Sequence, residues 1–254
     1  MKIGIISSIS LSDLFQHPEI ISIETPYGSI DLMSSTVHSH ELLYLNRHGK
    51  NRTMPPHQIN YHANIHAFAV SHVDYLLMIE TVSTMNPKIQ IGDYVIPHDF
   101  IDMTKNRIQT YVQNQRIHID VSEPFCPTLR NHLITTLEYF KNIPVHTTGV
   151  YLTTEGPRRE TCAEMQFYSK IADIIGMTLA SEVILAREKN LCCASICLVE
   201  NMAAGLQQHK STHETITFNQ EHTSIVESIV EKIICSLPEK KECRCQQNLS
   251  QATL

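Results

Sequence analysis

The sequence predicts an α/β layered domain, and three observations carry that expectation. Short apolar runs rich in β-branched residues recur along the chain and have the length of buried strands. Longer stretches of helical period fall between them, so strands alternate with helices from end to end, which builds layers rather than separate all-α and all-β halves. No repeat and no internal linker interrupts the pattern. A single domain is therefore expected over 1–237, followed by a polar, disordered tail over 238–254, where Lys, Glu, Gln, Asn and Ser take over.

The elements follow in order. Lys2–Ile6 is a buried first strand and Ser7–Ser10 the loop after it. Glu41–Leu45 is a strand running into Asn46-Arg47-His48-Gly49. Met54-Pro55-Pro56 stops extended structure and precedes a helix whose apolar residues are Ile59, Ala63, Ile65, Ala67 and Phe68. Tyr75–Ile79 and Asp93–Ile96 are strands, the second entered through Gly92. The turn Glu123–Pro127 leads into a helix over Thr128–Phe140. Gly149–Thr153 is a strand ending at Glu155-Gly156-Pro157, followed by a helix over Thr161–Ile171. Ser181–Lys189 is a helix with Ser181 as its N-cap and Glu182 in its first turn. Cys192–Val199 is a strand, and Thr223–Ser236 is the closing amphipathic helix.

Bulk properties exclude several classes. The net charge of −6 comes without a Lys/Arg block that could track a phosphate backbone, so nucleic acid is not an expected partner. No stretch approaches the ~18 apolar residues of a membrane span. The N-terminal run is too short for a secretory signal. The chain is expected in the cytoplasm, with no membrane partner. A reducing compartment argues against pairing its eight cysteines as disulfides. Cys192, Cys193 and Cys197 lie in an apolar run and fit the core. Cys243-Arg244-Cys245 invites a metal or redox role, but two thiols fall short of the usual four ligands.

Several residues could carry chemistry. Arg47-His48 after a strand could clamp an anion through the guanidinium fork and an imidazole donor, or could be a surface pair beside a turn. Thr178, just ahead of a helix, could donate to an anion or simply cap. His62 and His66 share a helical face next to His57, but the Glu of a zincin motif is missing, so a polar cleft or interface is expected there and no metal. Ser7 and Ser8 follow the first strand without GxGxxG, a Walker lysine or a G-x-S-x-G elbow. Glu160 and Asn201 complement one edge of a 6-oxopurine: a carboxylate accepts the ring N1–H, and an amide, which both donates and accepts, reads O6 and N7.

Taken together these blocks resemble the trimeric purine nucleoside phosphorylase and methylthioadenosine phosphorylase family, and most of all its S-methyl-5′-thioinosine phosphorylase branch. The resemblance rests on Arg47-His48-Gly49 with Met54–Tyr61, on Gly149-Val150-Tyr151, and on Glu155-Gly156-Pro157-Arg158 with Glu160-Thr161. It continues through Gly176-Met177-Thr178, Glu182 with Leu185–Glu188, and Asn201 with Ala203-Ala204-Gly205, in family order over nearly the whole chain. It implies a three-layer sandwich around a mixed central sheet, a homotrimer, and no cofactor beyond inorganic phosphate as co-substrate.

The same resemblance implies residue roles. Arg47, His48 and Thr178 would hold phosphate, with the positions of Ile9, Glu80 and Thr81 completing that site. Met177 would lie under the pentose. Glu160 and Asn201 would read the base, with Met202 and Ala203 in the lining loop. His118 would reach the neighbouring subunit's site. Asn201 and His48 would be catalytic. Relatives that take 6-aminopurines carry Asp where Asn201 stands. The implied reaction is phosphorolysis of a 6-oxopurine nucleoside (S-methyl-5′-thioinosine, or inosine or guanosine) to free base and pentose 1-phosphate in purine salvage. The alternatives are a phosphate-independent nucleosidase and a catalytically impaired purine-binding protein.

Three positions depart from the family. The glycine-rich first loop is Ser7-Ser8-Ile9-Ser10, with Ile9 at the hydroxyl position. Glu80 brings a negative charge to the phosphate side unless Arg47 neutralises it. Arg159 replaces an apolar residue and offers a substitute cation. The segment after Gly205, including His209 and His213, is expected to select the 5′ substituent.

Overall fold

The computed structural model describes residues 1–11, 13–15, 18–205 and 212–252, without the side chains of 212–216 and 219. The chain forms one α/β domain whose mixed eleven-stranded sheet is flanked by helices. β1 (Lys2–Ser7) is buried along nearly its whole length because it lies between two parallel neighbours. Such strands read as continuous apolar runs.

Next comes an antiparallel meander that the sequence reading left unassigned. β2 (Glu19–Thr25) and β3 (Gly28–Val37) form a hairpin, and β3 then pairs with β4 (His40–Asn46). His38 and Ser39 join β3 to β4 with φ of 47° and 68°. Positive φ at both central residues matches the strand twist of a tight hairpin. β4 returns beside β1, in register from Lys2–Glu41 to Ser7–Asn46, and this delivers Arg47 next to the end of β1.

α1 (Tyr61–Val70) begins after Ile59, expected inside the helix but extended in the structure, and it is capped by the Asn60 side chain on the Ala63 N–H. β5 (Tyr75–Thr84) is the spine. It runs parallel to β1 and to the late strand β11, and its last residues turn antiparallel to β10. β6 (Tyr94–Val95) and β7 (Asp99–Asp102) lead to α2 (Pro127–Leu137). β8 (Val145–His146), β9 (Val150–Thr153), α3 (Cys162–Tyr168) and β10 (Ile174–Gly176) follow. α3 opens with a full capping box between Thr161 and Glu164.

α4 (Leu179–Glu188) starts two residues before the expected Ser181. Its N-cap is Thr178, whose side chain makes no capping bond, and the Ala180 N–H is satisfied by Thr153 Oγ1 at 3.2 Å. β11 (Cys193–Met202) and α5 (Thr212–Cys235) complete the body. α1 packs with α4, and α2 with α5, as two groups against the sheet. The segment after Pro238 is laid against the domain instead of trailing as a tail. Cys245 and Ala252 are buried, and a helical turn, α6 (Asn248–Gln251), is bonded to α4 through Arg187 and Asn248. Among the described residues no helix is long and apolar enough to cross a membrane.

Candidate active site

The carboxyl ends of β1, β4, β5, β9, β10 and β11 converge, and the chemistry-bearing residues gather there. This is the edge of an α/β sheet where ligands bind. A cavity of about 130 Å³ is lined by Glu160, Asn201, Met177, Met202, Arg159 and Ser83, with Ile175 and Ala204 closing it. Asn201 reaches the cavity because β11 carries an irregularity between Val199 and Asn201 in its register with β5, and an extra residue in a strand re-aims the side chain that follows. Asn201 Nδ2 donates to Ser83 Oγ at 3.4 Å. Its Oδ1 is buried without a partner among the described residues. Glu160, which lines the cavity, accepts a 2.6 Å hydrogen bond at Oε1 from Thr154 Oγ1 on the β9 side.

Gly156 sets the entry of the Glu160 loop. It has φ of 65°, and a Cβ on it would lie 2.6 Å from Met177 Sδ. Gly156→Ala is expected to cost about 1–2 kcal/mol through the left-handed backbone. It should also push Met177 toward the cavity, raising KM for nucleoside several-fold while kcat changes less. Steady-state kinetics with a thermal melt check this, and an unchanged KM would detach Met177 from the ligand side.

The anion side is built around Arg47, which is 1 % exposed. Its Nε and Nη2 donate to the two oxygens of Glu182 at 2.5 and 2.9 Å, and its Nη1 donates to the Ile79 carbonyl. Nη2 also lies 2.6 Å from Glu80 Oε1, a charge contact without hydrogen-bond alignment. Thr178 Oγ1 donates to Glu80 Oε2 at 2.7 Å. Two of the three groups expected to hold phosphate thus already hold a carboxylate of the same chain. Burial pushes the Glu80 carboxyl up to about 7 against the opposing pull of Arg47, with Glu182 raising it further.

The rest of the expected phosphate set divides. His48 Nδ1 contacts the Met54 carbonyl at 2.8 Å, and burial lowers its pKa, so its ring is neutral near pH 7. The Thr81 N–H donates to Ser8 Oγ at 3.1 Å. The Ile9 side chain lies in the core cluster, its N–H donates to Ser7 Oγ and its carbonyl accepts from Ser7 and Tyr44. Arg52 Nη2 donates to the Ser8 carbonyl at 2.6 Å and ties the loop down.

Ala203 is buried in a small core cluster with its N–H on the Thr84 carbonyl, and its neighbour Ala204 lines the cavity. His118 is exposed, with its backbone N–H on the Ala252 carbonyl. It is not part of the cavity lining within one chain. His62 and His66 pack with Tyr27 and Tyr111, and His62 Nε2 contacts the Thr110 carbonyl. Residues 206–211, with His209, and the His213 side chain lie outside the described residues.

Sequence reasoning missed Arg107. Its guanidinium pairs with Glu155 at 2.8 Å, donates to the Glu155 and Met177 carbonyls, and stacks over the Tyr61 ring. It pins both ends of the cavity's Met177 wall. No local motif surrounds it, so only the fold reveals it.

A family model described as the phosphorylase superfamily matches residues 2–235. A probable 6-oxopurine nucleoside phosphorylase of Dictyoglomus turgidum is 38% identical, covering 99% of this chain and 97% of that protein. A probable S-methyl-5′-thioinosine phosphorylase of Methanopyrus kandleri is also 38% identical, over 90% of each. Among solved structures, a methylthioadenosine phosphorylase from an antarctic soil metagenomic library superposes with a TM-score of 0.93 at 27% identity, covering 99% of this chain and 92% of that one. The chain therefore belongs to the phosphorylase superfamily. Phosphate as co-substrate is consistent with the chemistry of this family, and no metal or organic cofactor is implicated in it.

Proposed function

We propose that the protein cleaves the glycosidic bond of a 6-oxopurine nucleoside, in the purine nucleoside phosphorylase-type reaction that its relatives support, yielding free base and pentose 1-phosphate. S-methyl-5′-thioinosine and inosine or guanosine are the candidate substrates. The observation that carries the base assignment is the unpartnered, buried Oδ1 of Asn201 beside Glu160 in one cavity. A 6-oxopurine offers what these groups lack: N1–H for the Glu160 carboxylate, O6 for Asn201 Nδ2 and, once N7 takes a proton from solvent as the glycosidic bond breaks, N7–H for Asn201 Oδ1. As the glycosidic bond lengthens, negative charge builds on the leaving purine. The Asn201 Nδ2 donor already in place at O6 stabilises it without reorganisation.

In this reading phosphate must take Arg47 and Thr178 from Glu80. Two unit charges at ~4 Å and an effective dielectric of ~20 repel by about 4 kcal/mol, so an ionised Glu80 competes strongly with the anion. Glu80→Gln keeps the shape and removes the charge. It should lower KM for phosphate at least ~10-fold, equivalent to ~1.4 kcal/mol. It should also change stability against pH. The folded pKa of Glu80 lies above its unfolded value of 4.5, so its contribution is complete below about 4.5 and is lost as pH rises through about 7. The variant's Tm profile should be flatter across that window.

A second reading is favoured by the same carboxylate. Glu80 already occupies the anion cradle, and a carboxyl near neutral pKa is suited to activate water as a general base. Glu80→Gln would then abolish base release instead of improving phosphate use. The deciding experiment follows hypoxanthine from S-methyl-5′-thioinosine with and without phosphate. Phosphate-dependent release supports phosphorolysis, and release in its absence supports hydrolysis. Nucleoside-induced thermal stabilisation without release would mean a binding protein on this scaffold.

A further inference from the structure

We propose that Cys126, Cys192, Cys243 and Cys245 form a four-thiolate site for one zinc ion, which fastens the C-terminal segment to the domain. The four sulfur atoms all lie within 4.8 Å of one another, and Cys192 Sγ and Cys243 Sγ are 3.5 Å apart. A tetrahedral zinc with Zn–S bonds of ~2.3 Å sets its sulfurs about 3.8 Å apart. All four cysteines are free. The two ligands missing from Cys243-Arg244-Cys245 in the sequence are supplied by the fold.

Each ligand is held by backbone. Cys126 is the N-cap of α2, makes no side-chain capping bond, and donates its N–H to the Cys193 carbonyl at 2.7 Å. Cys192 precedes β11, and its carbonyl accepts the Leu76 N–H. The segment carrying the other two is tethered by the Glu242 N–H on Thr128 Oγ1 and by Tyr75 Oη on the Pro238 carbonyl. Cys126, Cys192 and Cys245 are buried and Cys243 is half-buried, so the site is closed, as structural zinc sites are.

Arg187, itself buried, donates from Nη1 to Cys245 Sγ at 3.0 Å and from Nη2 to Asn248 Oδ1 at 2.9 Å. Four thiolates around a divalent ion leave two negative charges, and the guanidinium offsets one of them. Binding would transfer four thiol protons to solvent as four Zn–S bonds form. The site lies at the opposite end of β11 from Asn201, which is nine residues or about 30 Å from Cys192 at ~3.3 Å per residue. Its role is therefore structural and separate from glycosidic cleavage.

The test uses the full chain expressed with added zinc and purified reduced, without chelator. Elemental analysis should find one zinc per chain, released on titration with an organomercurial. Cobalt substitution should give a thiolate charge-transfer band in the near ultraviolet and the strong visible bands of a tetrahedral site. Cys243→Ser with Cys245→Ser should lose the metal while residues 2–235 keep a cooperative melt. Cys162→Ser and Cys235→Ser, at exposed cysteines outside the cluster, should keep it. Only trace zinc in the reduced protein, or full zinc in the Cys243/Cys245 double variant, would overturn the proposal. So would recovery of the four residues as disulfides from a reduced cytoplasm.

Discussion

Arg47→Met should destabilise the protein by about 3–5 kcal/mol, because it leaves carboxylates buried without their cation. Arg47 is the only cation in contact with Glu80 or Glu182 among the described ion pairs, and all three side chains are essentially inaccessible. Removing it strands Glu182 on α4 and Glu80 on β5 together. For a chain of this size, about 1 kcal/mol moves Tm by ~2–4 °C, so a fall on the order of 10 °C is expected. The loss should shrink when the charges go as a set: Arg47→Met with Glu80→Gln and Glu182→Gln ought to recover most of the Tm. If the single variant melts with the wild type, the cluster is not held by charge. If the triple variant is no better than the single one, packing and not stranded charge explains the loss.

Asn201→Ala should lower kcat on the order of 10²–10³-fold, the usual cost of removing one preorganised group that faces developing charge, about 2.7–4 kcal/mol. Stability should hardly change, since among the described residues the side chain gives the fold only one long bond, to Ser83. Asn201→Asp is the sharper variant. It keeps an acceptor but replaces the Nδ2 donor with a second acceptor, which opposes O6 of a 6-oxopurine and suits a 6-amino group. Its ratio of kcat/KM for 6-oxo over 6-amino nucleosides should fall steeply, as sites built for one hydrogen bond reject ligands lacking its partner. Wild-type turnover in Asn201→Ala would remove this residue from the mechanism.

Much of this site was legible in the sequence because its residues sit beside strong punctuation. Arg47 and His48 follow a strand, Glu160 follows Gly156-Pro157, and Asn201 ends the long apolar run of β11. Glu80 is marked only by its departure from the family pattern, just past the strand expected over Tyr75–Ile79, and the fold shows why its charge is tolerated: Arg47 and Thr178 meet it. Its second neighbour was not legible. Glu182 looked like a first-turn helix acid, and nothing local tells that it binds Arg47, 135 residues earlier in the chain, through both oxygens. The β2–β3 hairpin escaped because its strands are largely open to solvent and carry charge, so they lack the apolar run that marked β1 and β5. β8 and β10 are two and three residues long, too short to show a period. Thr178 and Ser181 both offered a hydroxyl for the start of α4. The fold chose the earlier one, while its hydroxyl went to Glu80 and not to the helix.

The register irregularity at Glu200 decides what could be moved to another scaffold. Up to Val199, β11 keeps step with β5, one residue opposite the next, and every side chain from Cys193 to Val199 is committed to the interior. A period of two then dictates which face each later residue takes. The extra residue breaks that dictation once, so the interior part of the strand and the ligand-facing part can vary independently. A designer who transplants Asn201 alone onto a regular strand would turn its amide to the wrong face. The portable unit is Val199–Asn201 together with its partner Ser83, and a homologue one residue shorter at this point would need a different base reader.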